Sequence, residues 1–191
     1  MTLKTSQLLI ISCGLALQAF ILILLNAFIP GLAGKEAIWV AFQAWAVYFL
    51  AGCTLMGGIR AFIGYATGIA ASIAIIELMI GKPGIGSLPV LENIGHGMNL
   101  AMAAAVFIVV IPAIMSEKFK NMVPALFIGS GAYFALWTIM NFDPQVTVEG
   151  WELHIAAARA ELVYCAVGLL FGYITVFWRS RYEASLKRET V

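Results

Sequence analysis

From Leu8 to Ile29 the chain carries no charged side chain. A run of roughly 20 apolar residues is what an α-helix needs to cross the hydrocarbon core of a bilayer. More such runs follow, and composition agrees: 62% of residues are hydrophobic and 11% charged. Soluble domains are about half apolar and about a quarter charged. With a mean hydropathy of +0.96 as well, the chain reads as a multi-pass membrane protein. Its net charge of +1 names no partner, and no basic stretch studded with aromatics points to nucleic acid. Lys4 precedes the first run, as in a secretory signal, but the run exceeds the roughly 7–15 apolar residues of a signal core. The first run is therefore expected to be a retained helix.

The apolar runs predict six spans, at about residues 7–29, 37–55, 61–80, 98–115, 122–141 and 154–178. They form a single transmembrane domain over about residues 1–178, followed by a charged tail over about 179–191. Lys4, Arg60, Lys118, Lys120, Arg179, Arg181, Lys187 and Arg188 fall on one side of that topology, against Lys35, Lys82 and Arg159 on or near the other. Positive charge accumulates on the cytoplasmic side of membrane proteins. Both termini are expected there, with Glu36, Glu92, Asp143, Glu149 and Glu152 opposite.

A glycine pattern occurs twice. One copy runs from Phe49 through Gly52 and Gly57-Gly58 to Gly64-x-x-x-Gly68, the other from Phe127 through Gly129 and Gly131 to Gly168-x-x-x-Gly172. In membrane helices such glycines let backbones approach closely. Gly52, Gly64, Gly68, Gly129, Gly168 and Gly172 are accordingly read as structural. If the copies correspond, the halves are three spans each. A three-span unit repeated in tandem inserts upside down, so the expected fold is an all-α bundle of six helices with a 3+3 inverted repeat.

Three strings carry a family resemblance: Phe49-Leu-Ala-Gly-Cys-Thr54 with Gly57-Gly58 and Phe62-Ile-Gly64; Val123-Pro-Ala-Leu-Phe-Ile-Gly129 with Tyr133-Phe-Ala135; and Gly168-Leu-Leu-Phe-Gly-Tyr173. Together they resemble a family of small bacterial inner-membrane proteins known only as domain of unknown function 1097. The resemblance covers about residues 40–175. It implies a location in the bacterial inner membrane and brings no activity and no site residues. The stretch from Asn141 to Glu161 is longer than in that pattern.

Ionisable groups inside membrane helices are costly and mark functional sites by default. Glu77 lies near the end of the third run, and Arg159 and Glu161 early in the sixth. His96, Asn99 and His154 stand at the mouths of the fourth and sixth. At helical spacing His154, Ala157, Glu161, Gly168, Gly172 and Thr175 form one small, polar stripe expected to face the bundle, with Arg159 pointing away. The functional reading is a polar outer vestibule of Glu77, His96, Asn99, His154 and Glu161, narrowing to a path lined by Phe127 and Tyr133. The plainer reading leaves the histidines and Glu77 reaching interfacial water, with Arg159 paired to an acid.

No pair of these residues has metal-ligand spacing such as H-x-x-E or H-x-x-x-H, so no metal and no cofactor are expected. Cys13, Cys53 and Cys165 fall singly in separate apolar runs, which is no disulfide framework. Gly81-x-x-Gly84-x-Gly86 lacks the G-K-[ST] ending of a phosphate loop. The expected protein is no enzyme but a channel or secondary transporter for a small solute, neutral or proton-coupled through Glu77 or Glu161. The alternative is a non-transporting accessory or scaffold subunit of a membrane complex. Expected partners are the lipid bilayer, a small-molecule solute and further copies of the chain in a homo-oligomer.

Overall fold

The structure, a computed structural model, describes residues 5–28, 37–80, 84–92, 97–115 and 123–188. Its regular elements are helices: α1 (Thr5–Asn26), α2 (Ile38–Leu50), α3 (Leu55–Ile80), a 3-10 turn (Ile85–Ser87), the short α4 (Pro89–Glu92), α5 (Gly97–Met115), α6 (Val123–Phe142) and α7 (Gly150–Arg188). Lys4, Lys35, Glu36, Lys82, Lys118 and Lys120 of the charge pattern lie outside the described residues, as does His96.

The all-α, multi-pass expectation holds, but the six spans and the 3+3 repeat do not. Among the described residues, four segments are long and apolar enough to cross a membrane: Thr5–Asn26, Leu55–Ser87, Val123–Phe142 and Gly150–Leu186. The remaining apolar helices, Ile38–Leu50 and Asn99–Pro112, fall short.

The end of α2 shows why hydropathy overcounts. Its 13 residues rise only about 20 Å, against a hydrocarbon core of about 30 Å. The apolar sequence continues past Leu50, but the helix does not. Gly52 and Cys53 take the left-handed conformation, with φ of 88° and 58°. The Cys53 N–H donates to the Tyr48 carbonyl at 3.3 Å and the Gly52 N–H to the Phe49 carbonyl at 3.2 Å. That pair of bonds is a Schellman stop. Thr54 then caps α3, its Oγ1 accepting the Gly57 N–H at 2.9 Å. Phe49–Thr54 is therefore a corner between helices, and an apolar count runs straight through it.

Two broad pairings build the bundle, α3 against α6 and α2 against α7; α7 also meets α3 and α6, and α5 lies on α3. Glycine sets these approaches. A Cβ at Gly68 would collide with the Leu126 carbonyl, and one at Gly129 would stand 2.8 Å from the Tyr65 Cα. A Cβ at Gly168 would strike the Ala41 carbonyl, and one at Gly172 would lie 2.5 Å from the Tyr48 Cβ. The two glycine patterns thus interlock crosswise, each G-x-x-x-G bedding on the helix that opens the other pattern.

Polar ties run through the apolar interior. The Trp45 Nε1–H donates to Thr175 Oγ1 at 3.0 Å, and that hydroxyl lies 2.7 Å from Gln18 Oε1 on α1. Tyr164 bonds Asn26 at the far end of α1. Ser72 and Ser130 hydroxyls meet at 2.6 Å between α3 and α6. The bundle is also polar in sign. Phe49 and Cys53 of the corner share a groove with Trp178, Arg179 and Glu183, so exposed Arg60, Arg179, Arg181 and Arg188 gather at that end. Glu77, Asp143, Glu149 and Glu152 lie towards the other.

Candidate functional site

The site forms where the end of α3, the middle of α6 and the start of α7 meet. α7 begins after a turn in which Asp143 Oδ1 accepts the Gln145 N–H at 2.9 Å, and Gly150 supplies the positive φ of 56° at the helix start. The first turns of α7 then carry His154 inwards, 3% exposed. Its ring is held on both nitrogens. Nδ1 lies 2.6 Å from the Tyr133 hydroxyl and Nε2 lies 3.0 Å from Glu77 Oε1. One arrangement satisfies every group: Tyr133 O–H donates to Nδ1, and Nε2–H donates to the Glu77 carboxylate.

Aromatic rings fix the imidazole plane. The rings of Tyr133 and Trp137 lie nearly parallel to it, with centroids 6.2 Å and 6.0 Å away and interplanar angles of 12° and 15°. Trp151 closes the third side at 5.4 Å, tilted by 58°. The Glu77 side chain is 41% exposed while that of His154 is 4% exposed. The result is a short hydrogen-bonded chain leading from an accessible carboxylate into a buried aromatic box.

Deeper along the same face of α7 stands Glu161, 0% exposed. Among the described residues neither of its carboxyl oxygens has a hydrogen-bond partner, and the Tyr65 hydroxyl is likewise buried and unpartnered. Glu161 lies within electrostatic reach of Tyr65 on α3, Tyr133 on α6 and Cys165 on α7 itself. A buried carboxylate normally meets a cation or several N–H donors. This one meets two phenols and a thiol. No group of three or more histidine, cysteine or acidic side chains suited to a metal occurs among the described residues.

The chain matches the family described as "Protein of unknown function (DUF1097)" over residues 14–178. It belongs to the DUF1097 family. Neither the curated proteins nor the solved structures contain a match. The DUF1097 match spans all three strings that carried the resemblance, from Phe49 to Tyr173, and extends it to most of α1.

Within this DUF1097 chain the residues singled out from sequence separate into groups. Glu77, His154 and Tyr133 come together, and Glu161 lies buried two turns from His154. The stripe His154, Ala157, Glu161, Gly168, Gly172 and Thr175 is buried throughout. Asn99 is exposed on α5, whose buried line is instead Gly97, Ala101 and Ala105. Phe127 is 48% exposed, whereas Tyr133 is buried. Arg159 is exposed and makes no ion pair among the described residues. Three participants escaped the sequence reading: Trp137, Trp151 and Tyr65. Trp137 follows Tyr133 by four residues and Trp151 precedes His154 by three, spacings that put side chains on one helix face. Tyr65 had no such signal, because its relation to Glu161 is tertiary.

Proposed function

We propose that this protein passes a small solute across the bacterial inner membrane, as a channel or secondary transporter, with Glu77–His154–Tyr133 as its polar entry. One observation carries this reading: a buried histidine held on both nitrogens, boxed by aromatic rings and joined to a half-exposed acid inside a membrane bundle. A histidine needed only for packing has no use for an accessible carboxylate, whereas a pathway needs a polar lining that water can reach. The positive end of the bundle faces the cytoplasm in this reading, as the lysine and arginine bias of membrane proteins requires. The acidic end, with Glu77, then faces outwards.

Osmotic light scattering on proteoliposomes challenged with glycerol or urea tests the route. Glu77→Gln and Glu161→Gln are each expected to slow solute entry roughly tenfold or more, the loss expected when a pathway carboxyl is removed. Wild-type entry rates in both variants would eliminate the route. A stoichiometric protein partner on gentle purification, together with no flux, would instead favour an accessory subunit of a larger complex.

A further inference from the structure

We infer that Glu161 is a proton-binding site inside the bundle, loaded and emptied from Glu77 through His154 and Tyr133. The inference deepens the transport reading by naming its coupling ion, and rests on that reading only for the link to solute movement.

Glu161 is the starting point. Two unpartnered carboxyl oxygens at 0% exposure would carry a desolvation cost of several kcal/mol as a bare anion. A proton removes the charge without needing a cage of ligands. Among the described residues, Tyr65 on α3, Tyr133 on α6 and Cys165 on α7 lie within its electrostatic reach and none supplies a counter-charge; α2, the broadest partner of α7, carries no charged side chain from Ile38 to Leu50. Phenols and a thiol can exchange a proton with a carboxyl but cannot neutralise it.

The second observation is the chain of hydrogen bonds that leads towards this acid. Glu77 Oε1 to Nε2 is 3.0 Å and Nδ1 to the Tyr133 hydroxyl is 2.6 Å. Tyr133 lies within electrostatic reach of both Glu77 and Glu161. Seven residues separate His154 from Glu161, about 10 Å along one face of the helix, a gap that the Tyr133 side chain, reaching in from α6, helps to bridge.

The transfer balances without any further reactant. Nε2–H passes its proton to the Glu77 carboxylate while Nδ1 takes the phenol proton of Tyr133. The Tyr133 oxygen takes the proton of the Glu161 acid. At the end Glu77 is the acid, Glu161 the carboxylate, Tyr133 is restored, and His154 has exchanged one neutral tautomer for the other. The ring need not turn, which suits an imidazole bonded at both nitrogens and flanked by Trp137 and Trp151. One contact is open: Tyr133 and Glu161 share no hydrogen bond, so the last step waits on the Glu161 side chain swinging to the phenol. A relay with one such break exchanges protons without short-circuiting the membrane.

Infrared spectroscopy on the reconstituted full-length protein reads the site without any solute. The wild type is expected to show a protonated-carboxyl band that Glu161→Gln lacks and that shifts when deuterium oxide replaces water. Tyr133→Phe and, as a second variant should that one fail to fold, His154→Gln are expected to slow the shift roughly tenfold or more, as loss of a positioned proton-transfer group does. Identical spectra for wild type and Glu161→Gln would overturn the proposal. So would wild-type exchange in the folded relay variants, or a band that vanishes when sodium chloride replaces choline chloride, which would assign the acid to a metal cation. Carboxyl exchange that follows the prediction while solute entry ignores Glu77 and Glu161 would keep the proton site and remove the transport reading.

Discussion

Tyr133 joins two functions in one side chain: it bonds Nδ1 of His154 and stands near Glu161. Removing only its hydroxyl leaves a buried imidazole nitrogen without a partner. Tyr133→Phe is therefore expected to destabilise the bundle by about 1–3 kcal/mol, the cost of an orphaned buried polar atom. Reversible unfolding in mixed SDS micelles measures it, and no change would show that His154 finds another partner. At this scale the sequence was partly legible. Glu77, His154 and Glu161 stand out because ionisable groups are rare in apolar helices. The place of Phe127, 48% exposed, was not legible, because an aromatic in a membrane helix faces lipid as readily as it lines a path, and one-dimensional position does not distinguish the two. On α5 the small residues Gly97, Ala101 and Ala105, spaced by four, decide which face packs, and Asn99 stands off that line.

Among the elements, α2 and α7 approach most tightly through glycine. Gly168→Ala puts a methyl group against the Ala41 carbonyl, and backbone cannot step aside as a side chain can. The expected cost is about 1–3 kcal/mol, as for other overpacked interiors. Gly131→Ala is the control: a Cβ there meets nothing within 4 Å, so stability should hold or improve slightly through helix propensity. Equal losses in both variants, read from the same SDS unfolding curves, would mean that the approach is not what Gly168 provides. The glycine pattern was legible as packing, and the close contacts at Gly68, Gly129, Gly168 and Gly172 show what it packs. Helix length was not legible. From Ile38 to Leu55 the chain looks like a single span because Leu50, Ala51 and Leu55 are apolar, yet Gly52, Cys53 and Thr54 stop one helix and start the next. Hydropathy reports solvent preference and is blind to φ.

For the whole molecule, the segregation of charge fixes an orientation to be measured. Cys53 is exposed in the corner at the arginine-rich end, while Cys165 is buried. A membrane-impermeant maleimide is expected to label Cys53 only after intact cells are permeabilised, and to spare Cys165 until the protein is unfolded. Labelling of Cys53 in intact cells would reverse the orientation. The distribution of contacts has a further consequence, one of timing. α1 fastens to the bundle through Gln18 on Thr175, Asn26 on Tyr164 and the flat of Trp178 over Gly14, and α2 finds its broadest partner in α7. Every one of those anchors belongs to α7, which is synthesised after α1 and α2. α1 and α2 are therefore made well before their seats on α7 exist, and they dock only once α7 has followed.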